Sequence, residues 1–320
     1  MSKTIILTDK APAPIGPYSQ GVVASGMLLF TAGQVPINPS NGQVIQGDIK
    51  AQTRQALLNV QAILERGEVA PELRELILNR ASGNPLFMEE LTHTLLENGS
   101  IQRKENQYVL TRKPSDIQIP DTIQGIIAAR IDRLEENLKK IMQVAAVIGR
   151  EFGFRILQAI SGMREELKTY LLNLQGLEFI YEKNLFPELE YIFKHALTQE
   201  VAYNSLLLKR RKEIHERIGK AIEELFSNRL EEFYEMLAYH YSRSDSLEKA
   251  FQYLRLSAGK ATRNNSLWEA LRFYKESLSI LKQMPETDPI KKERIAVILL
   301  MAPILRNLGF PEDTAEILQD

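Results

Sequence analysis

The sequence contains no cysteine among its 320 residues, and its charge is almost balanced. Disulfides, thiolate metal sites and cysteine nucleophiles are therefore excluded, while the redox compartment is left undefined. With 40 basic and 41 acidic residues, the net charge of −1 creates no strong field toward nucleic acid or an anionic membrane. The longest apolar run, residues 295–305, is shorter than the ~20 residues of a membrane helix. We expect a cytoplasmic protein with no membrane partner.

Familiar catalytic and cofactor motifs are also missing. The sequence has no phosphate-binding loop, no dinucleotide fingerprint and no nucleophile elbow. His215-Glu216 begins like a zinc-protease helix, but Gly219 stands where the second histidine would be, so we expect no metal. The four histidines are isolated in the sequence and are interpreted as satisfied core or surface imidazoles: His93, His195, His215 and His240.

Residues 1–65 differ from the rest of the chain in the secondary structure that their sequence pattern predicts. Residues 4–8 form a short β-type run, and residues 21–33 predict two strands that turn at Ser25-Gly26. From Ile49 onward, apolar residues recur at three- and four-residue spacing, which predicts an amphipathic helix. This pattern indicates a small α+β segment at the N-terminus.

The remainder is predicted to be mainly α-helical. Residues 66–118 predict helices separated by Gly83-Asn84-Pro85, followed by a hairpin. Residues 119–208 predict a run of helices followed by a hairpin around Pro187, the arrangement of a winged-helix-like domain. In residues 209–320, the segment 247–253 (LEKAFQY) is echoed by 267–273 (LWEALRF), which is typical of tetratricopeptide-like helical repeats at a shortened spacing.

One basic cluster, residues 209–212 (KRRK), lies close to the winged-helix-like domain. DNA binding is therefore an alternative hypothesis, and gel shifts at varied salt would test it because phosphate contacts weaken steeply with salt. Glu213 and Glu216 follow within a turn, so we favour a solvated helix face and do not expect a nucleic-acid partner. Adjacent acids such as Glu89-Glu90 are likewise interpreted as solvent-facing, since neighbours on a helix point about 100° apart.

Three motifs near the N-terminus resemble the start of the RidA/YjgF family: residues 11–20 (APAPIGPYSQ), 29–36 (LFTAGQVP) and 47–60 (GDIKAQTRQALLNV). The resemblance covers a fifth of the chain and about the first half of that family's domain. It implies a trimeric enamine/imine deaminase with a site between subunits, and it places pocket residues at Tyr18, Ala32 and Gly33. Ala32 stands where many members have serine. Homo-oligomerisation through this segment is also implied.

The strands that carry the family's substrate-binding arginine and its water-handling glutamate have no counterpart in this sequence. A carboxylate substrate would then lack a bidentate partner, and hydrolysis would lack a positioned base. We therefore expect no deaminase activity from the chain alone. A deaminase completed by strands from another chain is an alternative hypothesis.

Four further motifs resemble the STAND-type AAA ATPase module found downstream of class III adenylate/guanylate cyclase domains. They are residues 82–91 (SGNPLFMEEL), 119–134 (IPDTIQGIIAARIDRL), 145–152 (AAVIGREF) and 191–203 (YIFKHALTQEVAY). In that family a nucleotide-binding core precedes a helical lid, a winged helix and tetratricopeptide repeats. In this chain the resemblance begins at the lid, and the sequence shows no match to the cyclase domain or to the phosphate-binding core.

The second resemblance implies nucleotide contacts at Gly83 and Pro85 in the lid turn and at His195 after the winged-helix hairpin. The competing interpretations are a turn that separates two helices and a packed imidazole. Without a phosphate loop we expect no cofactor and no tight ATP binding, unless a nucleotide-binding core is supplied elsewhere. The sequence thus predicts a chimera of two family pieces that acts as a non-catalytic regulatory module and binds protein partners through its repeats.

Overall fold

The computed structural model describes residues 3–14, 19–24, 28–31, 34–64, 68–81, 84–104, 107–117, 119–163, 166–184, 188–311 and 314. The chain divides into two compact units, Met1–Ile126 and Ile127–Asp320. Most of the described chain is helical, with three small three-stranded sheets, which confirms the mainly α prediction with a small α+β start. Among the described residues, no helix has the length and apolar character needed to span a membrane.

The first unit begins with an antiparallel sheet of β1 (Lys3–Ile6), β2 (Gly21–Ala24) and β3 (Leu28–Thr31), in the order β1-β2-β3. The predicted pairing of residues around Ser25-Gly26 is confirmed for the two strands, while the turn itself lies outside the described residues. The predicted helix is α1 (Ile49–Leu64). Asp48 starts it, since its Oδ1 accepts a hydrogen bond of 2.9 Å from the Ala51 backbone N–H.

The unit continues through β4 (Glu68–Val69), α2 (Pro71–Ala81), α3 (Pro85–Glu97), β5 (Ile101–Lys104) and β6 (Gln107–Leu110). A short 3₁₀ helix (Pro114–Asp116) follows. The predicted hairpin is β5–β6, and β4 pairs parallel to β6, which the sequence did not predict because two residues are too few to show a period. Helices and hairpin share one core: Leu73, Ala81, Phe87, Leu91, Leu95, Ile101, Ile117 and Ile126.

Helix α4 (Ile123–Asp132) contains the boundary between the units. The second unit then has α5 (Glu136–Ile148), β7 (Glu151–Gly153), α6 (Phe154–Ser161), α7 (Leu167–Gly176), β8 (Ile180–Asn184) and β9 (Glu190–Phe193). The predicted hairpin is β8–β9, and the three-residue β7 joins its open side to give the order β7-β9-β8.

The rest of the second unit is helical: α8 (Ala196–Asn204), α9 (Leu208–Leu225), a 3₁₀ helix (Leu230–Phe233), α10 (Tyr234–Tyr241), α11 (Leu247–Arg263), α12 (Leu267–Gln283) and α13 (Asp288–Asn307). Pro303 lies inside α13, and the helix nevertheless continues beyond it to Asn307. Pro303 is exposed, and Ile304 and Leu305 after it are buried, so packing holds the final turn in place.

Helices α11 and α12 repeat one burial pattern with an offset of 20 residues. Both contain 17 residues, and both follow a serine with nearly the same backbone angles, Ser246 and Ser266. Every buried position of α11 has a buried counterpart in α12: Ala250 and Ala270, Tyr253 and Phe273, Leu254 and Tyr274, Ser257 and Ser277, Ala258 and Leu278, Ala261 and Leu281. The echo seen in the sequence is therefore a repeat of helix packing.

Candidate functional site

In the N-terminal segment, a buried amide joins the end of β1 to the loop that follows it. Gln20 is only 2% exposed, and its Nε2 faces the carbonyl oxygens of Thr8 (2.8 Å), Ala11 (3.1 Å) and Pro12 (2.8 Å). Its Oε1 accepts a hydrogen bond from the Thr8 backbone N–H. The side chain thus substitutes for strand pairing where the backbone turns away.

A second buried amide fixes the loop before α1. Asn59 is fully buried on α1, and its Nδ2 donates to the carbonyl oxygens of Val35 and Ile37, both at 2.9 Å. Gln55, one turn earlier, donates to Asn59 Oδ1 at 2.9 Å. Both buried amides belong to the motifs that carry the RidA/YjgF resemblance, but the sequence did not single them out.

The pocket residues implied by that resemblance, Tyr18, Ala32 and Gly33, lie outside the described residues, as does Gly83. Of the nucleotide-contact candidates, Pro85 is exposed at the first position of α3. Asn84 caps the same helix, with its Oδ1 accepting from the Phe87 backbone N–H at 3.2 Å. Proline at this position and asparagine before it are ordinary helix-start residues.

His195 lies two residues after the end of β9 and directly precedes the first residue of α8. Its backbone carbonyl accepts a hydrogen bond from the Thr198 N–H at 3.1 Å, while its half-buried side chain does not cap the helix. His195 and Pro85 belong to different units.

The second unit contains a pair of facing histidines. Nδ1 of His215 on α9 lies 2.8 Å from Nδ1 of His240 on α10, and both side chains are fully buried. The Tyr203 hydroxyl lies 3.2 Å from the other ring nitrogen of His215, and Nε2 of His240 is buried without a hydrogen-bond partner. The interpretation of isolated histidines is therefore wrong for these two, although they are indeed core imidazoles.

Two arginines flank this pair through aromatic rings. The Arg211 guanidinium lies 4.8 Å from the ring centre of Tyr203, and that of Arg243 lies 3.8 Å from the ring centre of Tyr239, which also packs edge-on against His215. Burial, together with the charges of Arg243 and Arg211, lowers the pKa of His215 to about 4. Burial, the neighbouring imidazole and Arg243 lower the pKa of His240 well below its ordinary value. Both rings are neutral at pH 7.

A carboxylate cluster lies on the same helices. Glu223 of α9 accepts hydrogen bonds from the Tyr241 hydroxyl at 2.9 Å, from Lys249 Nζ at 2.8 Å and from the Tyr253 hydroxyl. Burial by itself raises the pKa of Glu223, but the bonds from Lys249, Tyr253 and Tyr241 outweigh burial and lower it. Burial first, and then the bond to Glu223, raise the pKa of both tyrosines. The cluster joins α9, α10 and α11 as a fully paired, ionised carboxylate.

The charged residues singled out in the sequence fall into two groups. In the basic cluster, Arg210 pairs with Glu213 at 2.9 Å and Lys212 pairs with Asp245 at 2.7 Å, in keeping with a solvated helix face. The interpretation of Glu89-Glu90 is wrong for Glu90, which is only 3% exposed because it lies on the buried face of α3.

Comparison with known proteins finds one family, described as Endoribonuclease L-PSP, which matches residues 8–73. A RutC family protein of Pyrococcus horikoshii is 59% identical over 63 residues, which are 20% of this chain and 49% of the relative. The 2-iminobutanoate/2-iminopropanoate deaminase of Escherichia coli is 55% identical over 65 residues, which are 20% of this chain and 48% of that enzyme. The chain thus spans about half the length of these relatives.

A RutC family protein of Haemophilus influenzae aligns over 111 residues at 40% identity, covering 34% of this chain and 78% of the relative. A solved structure of the Rid family protein YyfA from Yersinia pestis is 48% identical and covers 20% of this chain and 49% of its own, with a TM-score of 0.19 that supports no fold argument. Through its N-terminal segment, the chain belongs to the RutC family, the group described as Endoribonuclease L-PSP.

Proposed function

We propose that this chain is a non-catalytic regulatory module that binds protein partners through its C-terminal helices, as part of a STAND ATPase/cyclase-type signalling system. The observation that carries the proposal is the 20-residue repeat of burial in α11 and α12. Repeated helices that pack side by side form extended surfaces, which is how helical-repeat proteins bind partners. The winged-helix-like region would couple this surface to the rest of such a system.

The surface offered to a partner is apolar on α13. Ile295 (58% exposed) and Leu299 (67% exposed) lie one turn apart, and Leu300 is also exposed. Apolar side chains at i and i+4 form a stripe that an amphipathic helix of a partner can cover. We take this stripe as the centre of the binding surface.

Affinity capture from the host, using the full chain, tests the proposal. We expect the wild type to retain a protein with a STAND-type ATPase or cyclase domain, and the Ile295→Glu/Leu299→Glu variant to lose it. Both replaced side chains are exposed, so the variant should fold. Lys292→Glu, an exposed charge change on the same helix, is the matched control and should retain the partner. Capture that ignores the double change would contradict the proposal.

A second candidate function is a deaminase completed by another chain. It is supported by the 55% identity with the Escherichia coli deaminase and by exposed apolar residues on α1, Ile49, Leu57 and Leu58. The matched segment corresponds to only about half the length of these relatives.

Hydrolysis of 2-iminobutanoate separates the two candidates. We expect no turnover above background from the chain alone, with the Escherichia coli enzyme as positive control. Turnover that appears only after addition of the C-terminal half of that enzyme would favour the second candidate. Calorimetry with ATP is a further check, because micromolar binding by the chain alone would contradict a module that lacks its nucleotide-binding core.

A further inference from the structure

The contact between His215 and His240 accommodates one proton and no more. At 2.8 Å, one Nδ1 must donate a hydrogen to the other, so the two facing nitrogens cannot both carry one. Protonating both rings would force the two N–H groups against each other. It would also place two cations in a fully buried site.

The surroundings make protonation of either ring unfavourable as well. Besides His240, the titratable groups that contact His215 in the described part of the chain are Tyr203 of α8 and Tyr239 of α10, and an arginine lies over the ring of each tyrosine. Within the described part of the chain, neither imidazole is hydrogen bonded to a carboxylate. On the α11 side, Lys249 and Tyr253 are committed to Glu223.

We infer that the His215–His240 contact is an acid-sensitive latch that holds α10 against α9 while both rings are neutral and releases α10 when they take up protons. The latch goes beyond the proposed function, since it would give the C-terminal helices a response to mild acid. The latch can be tested on the chain alone, without any partner protein.

The direction of the response follows from proton binding. At pH 7.5 both rings are predominantly neutral, whether α10 is packed or open. Below 6.5, the ordinary pKa of histidine, the open state takes up protons that the packed state refuses. At pH 5.0, a packed pKa of about 4 for His215 favours opening by about 30-fold relative to pH 7.5. His240 acts in the same direction.

Hydrogen exchange of the full chain tests the latch. We expect α10 amides, after correction for intrinsic exchange, to lose at least about 30-fold of their protection between pH 7.5 and 5.0. The His215→Gln/His240→Gln variant has no proton to take up at this contact and should lose roughly 30-fold less. His93→Gln in the first unit is the matched control and should behave as the wild type.

If the double variant fails to fold, a measurement on the wild type still tests the latch. Nitrogen-detected NMR of the histidine rings should show that His215 and His240 stay neutral at pH 5.5 in molecules whose α10 remains protected. The inference is overturned if either ring becomes protonated near pH 6.5 with α10 still protected. It is also overturned if the loss of protection is the same in the wild type and the double variant.

Discussion

Gly219 on α9 lies so close to the ring of Tyr241 on α10 that a Cβ at this position would stand 2.6 Å from the tyrosine Cζ. The close approach lets the Tyr241 hydroxyl reach Glu223, and it stacks the Tyr241 ring on Tyr253 with ring centres 5.6 Å apart. The glycine is therefore required by packing between helices, although it lies in the interior of one.

Replacing this glycine tests the close approach. The movement forced on Tyr241 by Gly219→Ala should cost about 1–3 kcal/mol. Alanine normally stabilises a helix interior by about 1 kcal/mol over glycine, so the free energy of unfolding should fall by at most about 2 kcal/mol. Gly259→Ala is the matched control, because its Cβ would meet only Arg263 at 3.7 Å. It should be stabilising, and denaturant unfolding of both variants measures the contrast.

The Glu223 cluster makes a second prediction. Glu223→Gln should lower the free energy of unfolding by about 1–3 kcal/mol, because hydrogen bonds to a charged acceptor are stronger than those to a neutral one. The exposed Glu224→Gln should change it by less than about 0.5 kcal/mol.

Acid unfolding independently tests whether Glu223 is ionised in the folded state. Because the pKa of Glu223 is lowered in the folded state, its stabilisation is present above its ordinary pKa of 4.5 and is lost as the pH falls below that value. The wild type should therefore lose stability more steeply below pH 4.5 than Glu223→Gln. Equal slopes would mean that the carboxylate is not held in its ionised form.

Asn59 makes a prediction for the N-terminal segment. Asn59→Asp replaces the amide donor with a carboxylate that faces the carbonyl oxygens of Val35 and Ile37. We expect loss of at least about 1–3 kcal/mol and faster exchange of the amides in residues 34–47 at neutral pH. The exposed Thr53→Ala on the same helix should leave that loop protected. A loop equally protected in Asn59→Asp would contradict the role given to the amide.

Pro303 is expected to weaken α13. Pro303→Ala should stabilise the chain by up to about 3 kcal/mol, because it restores a backbone donor and removes the clash of the ring with the preceding turn. Pro289, in the first turn of the same helix, needs no such donor, so Pro289→Ala should change stability little. Thermal unfolding of the two variants compares the positions directly.

Most of the helices and hairpins could be predicted from the sequence because their signals are local. The spacing from Ile49 onward predicts a helix face, and the break at Gly83-Asn84-Pro85 predicts a helix start, each within a few turns of the chain. The short strands β4 and β7 could not be predicted, because strands of two and three residues carry no period of their own. They form only where a neighbouring strand leaves an edge open.

The sequence by itself determined the N-terminal family, the helical character of the remainder and the helix echo that became the repeat in α11 and α12. Only the tertiary structure paired His215 with His240, 25 residues apart, and gathered three donors from 18, 26 and 30 residues away around Glu223. A helical period shows which face of a helix is buried. Which side chains then meet depends on how two helices cross, and a single long side chain or a glycine such as Gly219 decides that crossing.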